Sequence, residues 1–121
     1  MVLIIEDSPA QAFAIGQYLK ANGLQVQYAM DGQDGFRMAL ESAPDAIMLD
    51  LEMPRMNGLE TLKCLRTDPQ TAEIPVVMLT QHVDRAEPAI DSVSRDAIDF
   101  VPKDDLATSV LLEALRRLAI L

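Results

Sequence analysis

Val2-Leu3-Ile4-Ile5-Glu6-Asp7-Ser8-Pro9-Ala10-Gln11 is the stretch that decides the fold. Four consecutive apolar residues give a strand covered on both faces, since a strand with one wet face would alternate apolar and polar side chains. Ser8 offers an N-cap oxygen, and Pro9 takes the first helical position, where its missing N–H costs nothing. Gln11 falls three residues after the cap, so a helix begins here with a capping box. Asn22-Gly23 stops it. The unit then repeats. Further short apolar runs lie at residues 24–29, 46–49, 75–79 and 98–101, each followed by a turn signal or a polar helix start. Asp31-Gly32 opens the second helix and Ala43-Pro44 follows its end. The third helix begins near Asn57-Gly58 and ends before Asp68-Pro69. Pro88 confines the fourth to about two turns with a narrow stripe of Ala89, Ile90 and Val93, so rapid amide exchange is expected over residues 84–95. The fifth, from about Asp105, places Leu106, Val110, Leu111, Ala114, Leu115 and Leu118 on one broad face. Five strands alternating with helices predict an α/β fold, a doubly wound five-stranded parallel sheet with helices on both faces.

A chain of 121 residues without a linker, repeat or low-complexity segment makes one domain, residues 1–121. Half of the residues are apolar and 24% are charged, as in a soluble globular domain. Ten Lys plus Arg against nineteen Asp plus Glu leave a net charge of −9, which disfavours direct contact with nucleic acid or anionic lipid. One cysteine, Cys64, excludes an internal disulfide and a cysteine-based zinc site, and reads as a packing residue in a reducing compartment. Apolar runs of only about four residues predict neither a membrane span nor a signal peptide, so a cytoplasmic location is expected.

In an open parallel sheet, ligands bind beyond the carboxyl ends of the strands. The residues there are Glu6 and Asp7, Asp50, Thr80 and Lys103, one polar group or pair from each of four separate strands. Strands one and three are neighbours in the order 2-1-3-4-5, so the three acids meet. Two carboxylates about 4 Å apart repel by roughly 4 kcal/mol at an effective dielectric near 20, and three of them need a cation. Oxygen ligands without His or Cys suit a hard ion such as Mg²⁺. A divalent ion, the Lys103 ammonium and the Thr80 hydroxyl around one carboxylate make a cradle for a phosphoryl group, with Asp50 as the in-line nucleophile. The plainer reading is that Glu6 and Asp7 merely favour the helix N-terminus behind them, and that Thr80 and Lys103 are solvated loop residues. His82 reads as an exposed loop residue.

Ile4-Ile5-Glu6-Asp7-Ser8, Met48-Leu49-Asp50-Leu51-Glu52-Met53-Pro54, Met56-Asn57-Gly58, Val77-Met78-Leu79-Thr80 and Asp99-Phe100-Val101-Pro102-Lys103 resemble the motifs of response-regulator receiver domains, in the same order and over essentially the whole chain. The resemblance implies a flavodoxin-like fold and a phosphoacceptor of two-component signal transduction or phosphorelay. Asp50 would accept a phosphoryl group from a histidine kinase or a histidine phosphotransfer protein, with Lys103 and Thr80 assisting. Mg²⁺ would be held by Asp7, Asp50, the backbone carbonyl of Glu52 and, partly through water, Glu6. Thr80 and Phe100 match a switch pair that reshapes the face made by the fourth helix, the fifth strand and the fifth helix, where a homodimer could also form. Such a domain labels itself and hydrolyses the product slowly; it is not an enzyme acting on a separate substrate. Gln81 stands where many receivers have a small residue, which bears on dephosphorylation. Asp104 stands where they have proline, and a cis peptide there would cost about 2.5–4 kcal/mol.

The stripe of the first helix is expected at Ala12, Ile15 and Leu19, leaving Phe13 outside it near Ala10 and Ala14, as a docking point for a helix of the phosphodonor or as a partly covered packing residue. Two other classes fit less of the sequence. A haloacid-dehalogenase-like phosphatase would also use a strand-end aspartate with an acid two residues on, here Glu52, but its acid pair follows the lysine, and 121 residues leave no cap domain. An interaction module that works without phosphorylation would not need the acids, hydroxyl and lysine together. A flavodoxin-like cofactor domain would need a Ser/Thr/Gly-rich loop after the first strand.

Overall fold

The computed structural model of the chain describes residues 1–50, 58–80, 98–102 and 116, with the backbone alone at 80 and 98–102. The elements are β1 (Val2–Ile5), α1 (Pro9–Ala21), β2 (Val26–Ala29), α2 (Gly32–Ser42), β3 (Ala46–Asp50), α3 (Gly58–Thr67), β4 (Val76–Thr80) and β5 (Ile98–Pro102). All pairings are parallel. The order β2-β1-β3-β4 is the expected one, and β5 pairs beyond β4. The expected fourth and fifth helices lie outside the described residues, apart from Arg116.

Because successive strand side chains point to opposite faces, each apolar strand feeds two cores. Val2, Ile4, Ala46, Met48, Val77 and Leu79 pack under Ala12, Ile15 and Leu19 of α1. Leu3, Ile5, Ile47, Leu49, Val76 and Met78 pack under Ala39 of α2 and Leu62 and Leu65 of α3. All of the strand residues named are fully buried, at about 1.5–3 kcal/mol for each large aliphatic side chain. Helices therefore cover both faces. Arg66 fastens the connection from α3 to β4, its Nη1 donating to the carbonyls of Ala72 at 3.0 Å and Ile74 at 2.9 Å. Thr71 Oγ1 adds a bond to Leu65 O at 2.6 Å.

Three local details differ from expectation. β2 starts at Val26, not at Leu24, because the chain closes α1 first: Leu24 N–H bonds back to Leu19 O. The α1 stripe gains Gly16, which is buried beneath Tyr28. The capping box is only half made. Ser8 Oγ accepts from Gln11 N–H at 3.4 Å, but the Ser8 N–H goes to Glu6 Oε1 at 3.1 Å rather than to Gln11.

A Cβ on Gly16 would lie 1.9 Å from Tyr28 Oη and 2.7 Å from Cζ, while the Oη itself is buried without a hydrogen bond among the described residues. Tyr28→Phe should therefore raise stability by about 0.5–1 kcal/mol, since it removes an unpaired buried hydroxyl. Gly16→Ala alone should lower it by about 1–2 kcal/mol, the overpacking exceeding the gain in helix propensity. In the Tyr28→Phe background that loss should shrink but persist, since Cζ stays 2.7 Å from the added Cβ, as thermal denaturation of the four variants would show.

Candidate functional site

The carboxyl ends of β1, β3, β4 and β5 fall level. Ile5 is opposite Leu49, Asp50 opposite Leu79, and Thr80 opposite Pro102, so the four strands end at the same edge of the sheet. Asp50, the last residue of β3, is fully buried. Glu6, directly after β1, is 1% exposed, and Asp7 is half-buried at the rim. One ligand oxygen from each of these three acids lies within 4.8 Å of the others. The parallel pairing of β1 with β3 produces this meeting of residues more than forty positions apart in the chain.

Two bonds fix Glu6. Its N–H donates to Ala29 O at 3.1 Å, extending the β1–β2 ladder by one residue, and its Oε1 accepts from Ser8 N–H. Its Oε2 is buried and accepts no hydrogen bond from the described residues. Burial pushes the Glu6 carboxyl up from its ordinary 4.5 to about 8; the Ser8 N–H opposes this, and the neighbouring Asp50 charge adds to it. Among the described residues, a buried carboxylate oxygen without a donor, three crowded acids and no His or Cys in the cluster make a donor set that fits a hard divalent cation.

Of the other residues marked by the sequence, Thr80 ends β4 and Phe100 sits mid-β5 opposite Met78, both placed by their backbone. Glu52, Lys103, Gln81, His82 and Asp104 lie outside the described residues. Phe13 is 57% exposed, and Ala10 and Ala14 are exposed beside it. The sequence reading missed Met30, which is 45% exposed and shares with Phe13, Pro9, Ala12 and Tyr28 a shallow groove of about 190 Å³ near the same sheet edge. Its signal was available: a large apolar residue stranded between a strand end and the N-cap Asp31. Among the described residues, no helix is long and apolar enough to cross a membrane.

A doubly wound α/β domain with an acidic pocket at the carboxyl edge of its sheet defines a class that binds and reacts at that edge. The chain belongs to the response regulator receiver domain family, whose description it matches over residues 2–116, and it is a receiver domain of two-component systems. It is 38% identical over 102 residues to the DNA-binding dual master transcriptional regulator RpaA of Synechocystis, covering 84% of this chain and 42% of that protein. It is 34% identical over 118 residues to the response regulator PleD of Caulobacter vibrioides, covering 96% of this chain and 26% of that one. The chain thus spans less than half the length of these two relatives. Among solved structures, the chemotaxis protein CheY4 of Vibrio cholerae superposes with a TM-score of 0.87 at 28% identity, covering 97% of this chain and 96% of that one. The receiver domain of a signal transduction histidine kinase from Syntrophus aciditrophicus gives 0.83 at 32%, covering 97% and 87%.

Proposed function

We propose that Asp50 accepts a phosphoryl group from a phosphohistidine donor, a histidine kinase or a histidine phosphotransfer protein. The observation that carries this reading is the fully buried Asp50 in one pocket with Glu6 and Asp7, in a chain that matches the receiver family almost end to end. An Asp50 carboxylate oxygen attacks phosphorus, an O–P bond forms as the P–N bond breaks, and the donor imidazole leaves with the electron pair. Mg²⁺, held by Asp7, Asp50, the Glu52 carbonyl and, partly through water, Glu6, would supply positive charge to the phosphoryl oxygens. Lys103 supplies a second positive charge, and the Thr80 hydroxyl bonds the newly attached phosphoryl group. Phe100 then follows Thr80, and the surface of the fourth helix, β5 and the fifth helix changes shape. The chain acts on itself and turns over no separate substrate. Cytoplasmic location and the absence of direct nucleic-acid contact belong to the same proposal.

Incubation with a small acyl-phosphate donor and Mg²⁺ tests it. One phosphoryl group per chain, removed by hydroxylamine as expected of an acyl phosphate and not formed in chelator, is the expected result. Repeated turnover of a generic phosphate ester, or no incorporation, would overturn it.

Phe13, with Ala10 and Ala14, is proposed as the docking point for a helix of the donor, since an exposed phenylalanine on a helix beside the site offers an apolar anchor. Phe13→Ala should slow transfer from a phosphohistidine protein about tenfold, the effect of roughly 1.4 kcal/mol. An unchanged transfer rate in rapid-quench measurements would remove Phe13 from this role.

A further inference from the structure

Ile5 ends β1, and the next two residues are Glu6 and Asp7, so whatever holds Ile5 holds the root of the acid pair. Its side chain is wholly buried on the face covered by α2 and α3. A Cβ on Gly35 of α2 would lie 2.4 Å from Ile5 Cδ1, 2.7 Å from Cγ1 and 3.0 Å from Cγ2. The end of the Ile5 side chain thus fills the volume that an alanine at position 35 would need. Among the described glycines only Gly23 has a positive φ, so the backbone does not demand glycine at 35. Glycine inside a helix is otherwise unfavourable, and the close approach to Ile5 is what it permits.

The backbone ties the two positions to one short connection. Glu6 N–H bonds to Ala29 O, the last residue of β2. Two residues on, Asp31 caps α2, its Oδ1 accepting from Asp34 N–H at 2.8 Å and its carbonyl from Gly35 N–H at 2.9 Å. α2 cannot back away from Ile5 without pulling on the connection from which Glu6 also hangs. Added volume at 35 is therefore relieved through Ile5 and passed to its neighbours in the chain.

We propose that Gly35 is a positioning residue for the acid cluster: its missing side chain lets α2 seat on Ile5 and so sets where Glu6 and Asp7 stand relative to Asp50. This rests on the reading of the cluster as a Mg²⁺ site. The test is Mg²⁺ titration of the full chain by calorimetry and by the amide shifts of Glu6 and Asp7, for wild type, Gly35→Ala, Ile5→Val and the double variant. Gly35→Ala should weaken Mg²⁺ binding about tenfold, as loss of a residue that orients metal ligands does. Ile5→Val, which deletes the nearest atom but keeps Cγ1 at 2.7 Å, should recover part of that loss in the double variant, about threefold on the same scale. If Gly35→Ala does not fold, recovery of both the fold and Mg²⁺ affinity in the double variant supports the inference, and a double variant that also fails overturns it. Equal Mg²⁺ affinity in Gly35→Ala and wild type overturns it whatever the melting temperatures, because a merely structural residue would shift stability alone. A wild-type chain that binds no Mg²⁺ would instead overturn the reading of the cluster beneath it.

Discussion

Asp50→Asn will abolish phosphoryl incorporation from an acyl-phosphate donor and, in chelator, leave a more stable protein than wild type. The first effect follows from chemistry: an amide oxygen is no nucleophile toward phosphorus under these conditions, and the other acids of the pocket, Glu6 and Asp7, root on β1 rather than at the end of β3. The second follows from crowding. Glu6 is 1% exposed and is pushed up to about 8 first by burial, with Asp50's charge adding to it against the Ser8 N–H. Two unit charges about 4 Å apart cost up to ~4 kcal/mol at an effective dielectric of 20, so neutralising one should return about 1–2 kcal/mol after relaxation. The sign sets the pH window. The gain is largest above about pH 8, where Glu6 is ionised, and shrinks as pH falls through that value, because a protonated Glu6 no longer repels position 50. Denaturant titration in chelator at pH 9 and pH 6 measures it. A variant less stable than wild type at pH 9 would show that Asp50 is not a repulsive member of the cluster.

The strands were legible because they are short, apolar throughout and punctuated. Val2–Ile5 comes out with the boundaries read from the sequence, and Ser8-Pro9 and Asp31-Gly32 start their helices as their chemistry dictates. The meeting of Glu6, Asp7 and Asp50 was legible too, because the parallel order places strands one and three side by side. What escaped depends on which of two competing partners reaches first. Glu6 and Gln11 both could serve the Ser8 N–H, and Glu6, two residues before the cap, takes it. The contacts of Gly16 with Tyr28 and of Gly35 with Ile5 escaped for another reason. A glycine in a helical pattern reads only as a weak helix former until the side chain that occupies its missing volume is known. Phe13 could be placed off the buried stripe by periodicity, but Met30 lies in a connection, where no period applies.

Mg²⁺ should raise the melting temperature of the wild-type chain by about 5 °C at ten times its dissociation constant, a gain of roughly 1.4 kcal/mol from binding the folded state alone. Three carboxylate oxygens within 4.8 Å form such a site only when β1 and β3 are paired, so the unfolded chain has no equivalent and the linkage is nearly complete. A bound ion would also relieve the repulsion among the three acids, and Glu6 Oε2, buried without a donor among the described residues, would gain a partner. Asp7→Asn should remove most of the shift while leaving the metal-free melting temperature within about 2 °C of wild type, because Asp7 is half-buried and a surface-like change moves stability by no more than about 0.5 kcal/mol. Raising monovalent salt to the same ionic strength should reproduce little of the effect, since buried pairs are screened far less than exposed ones. Scanning calorimetry with Mg²⁺, chelator and matched NaCl separates these arms. A melting temperature that rises equally in NaCl, or an Asp7→Asn chain that keeps the full Mg²⁺ shift, would mean that the three acids do not bind the ion as a unit.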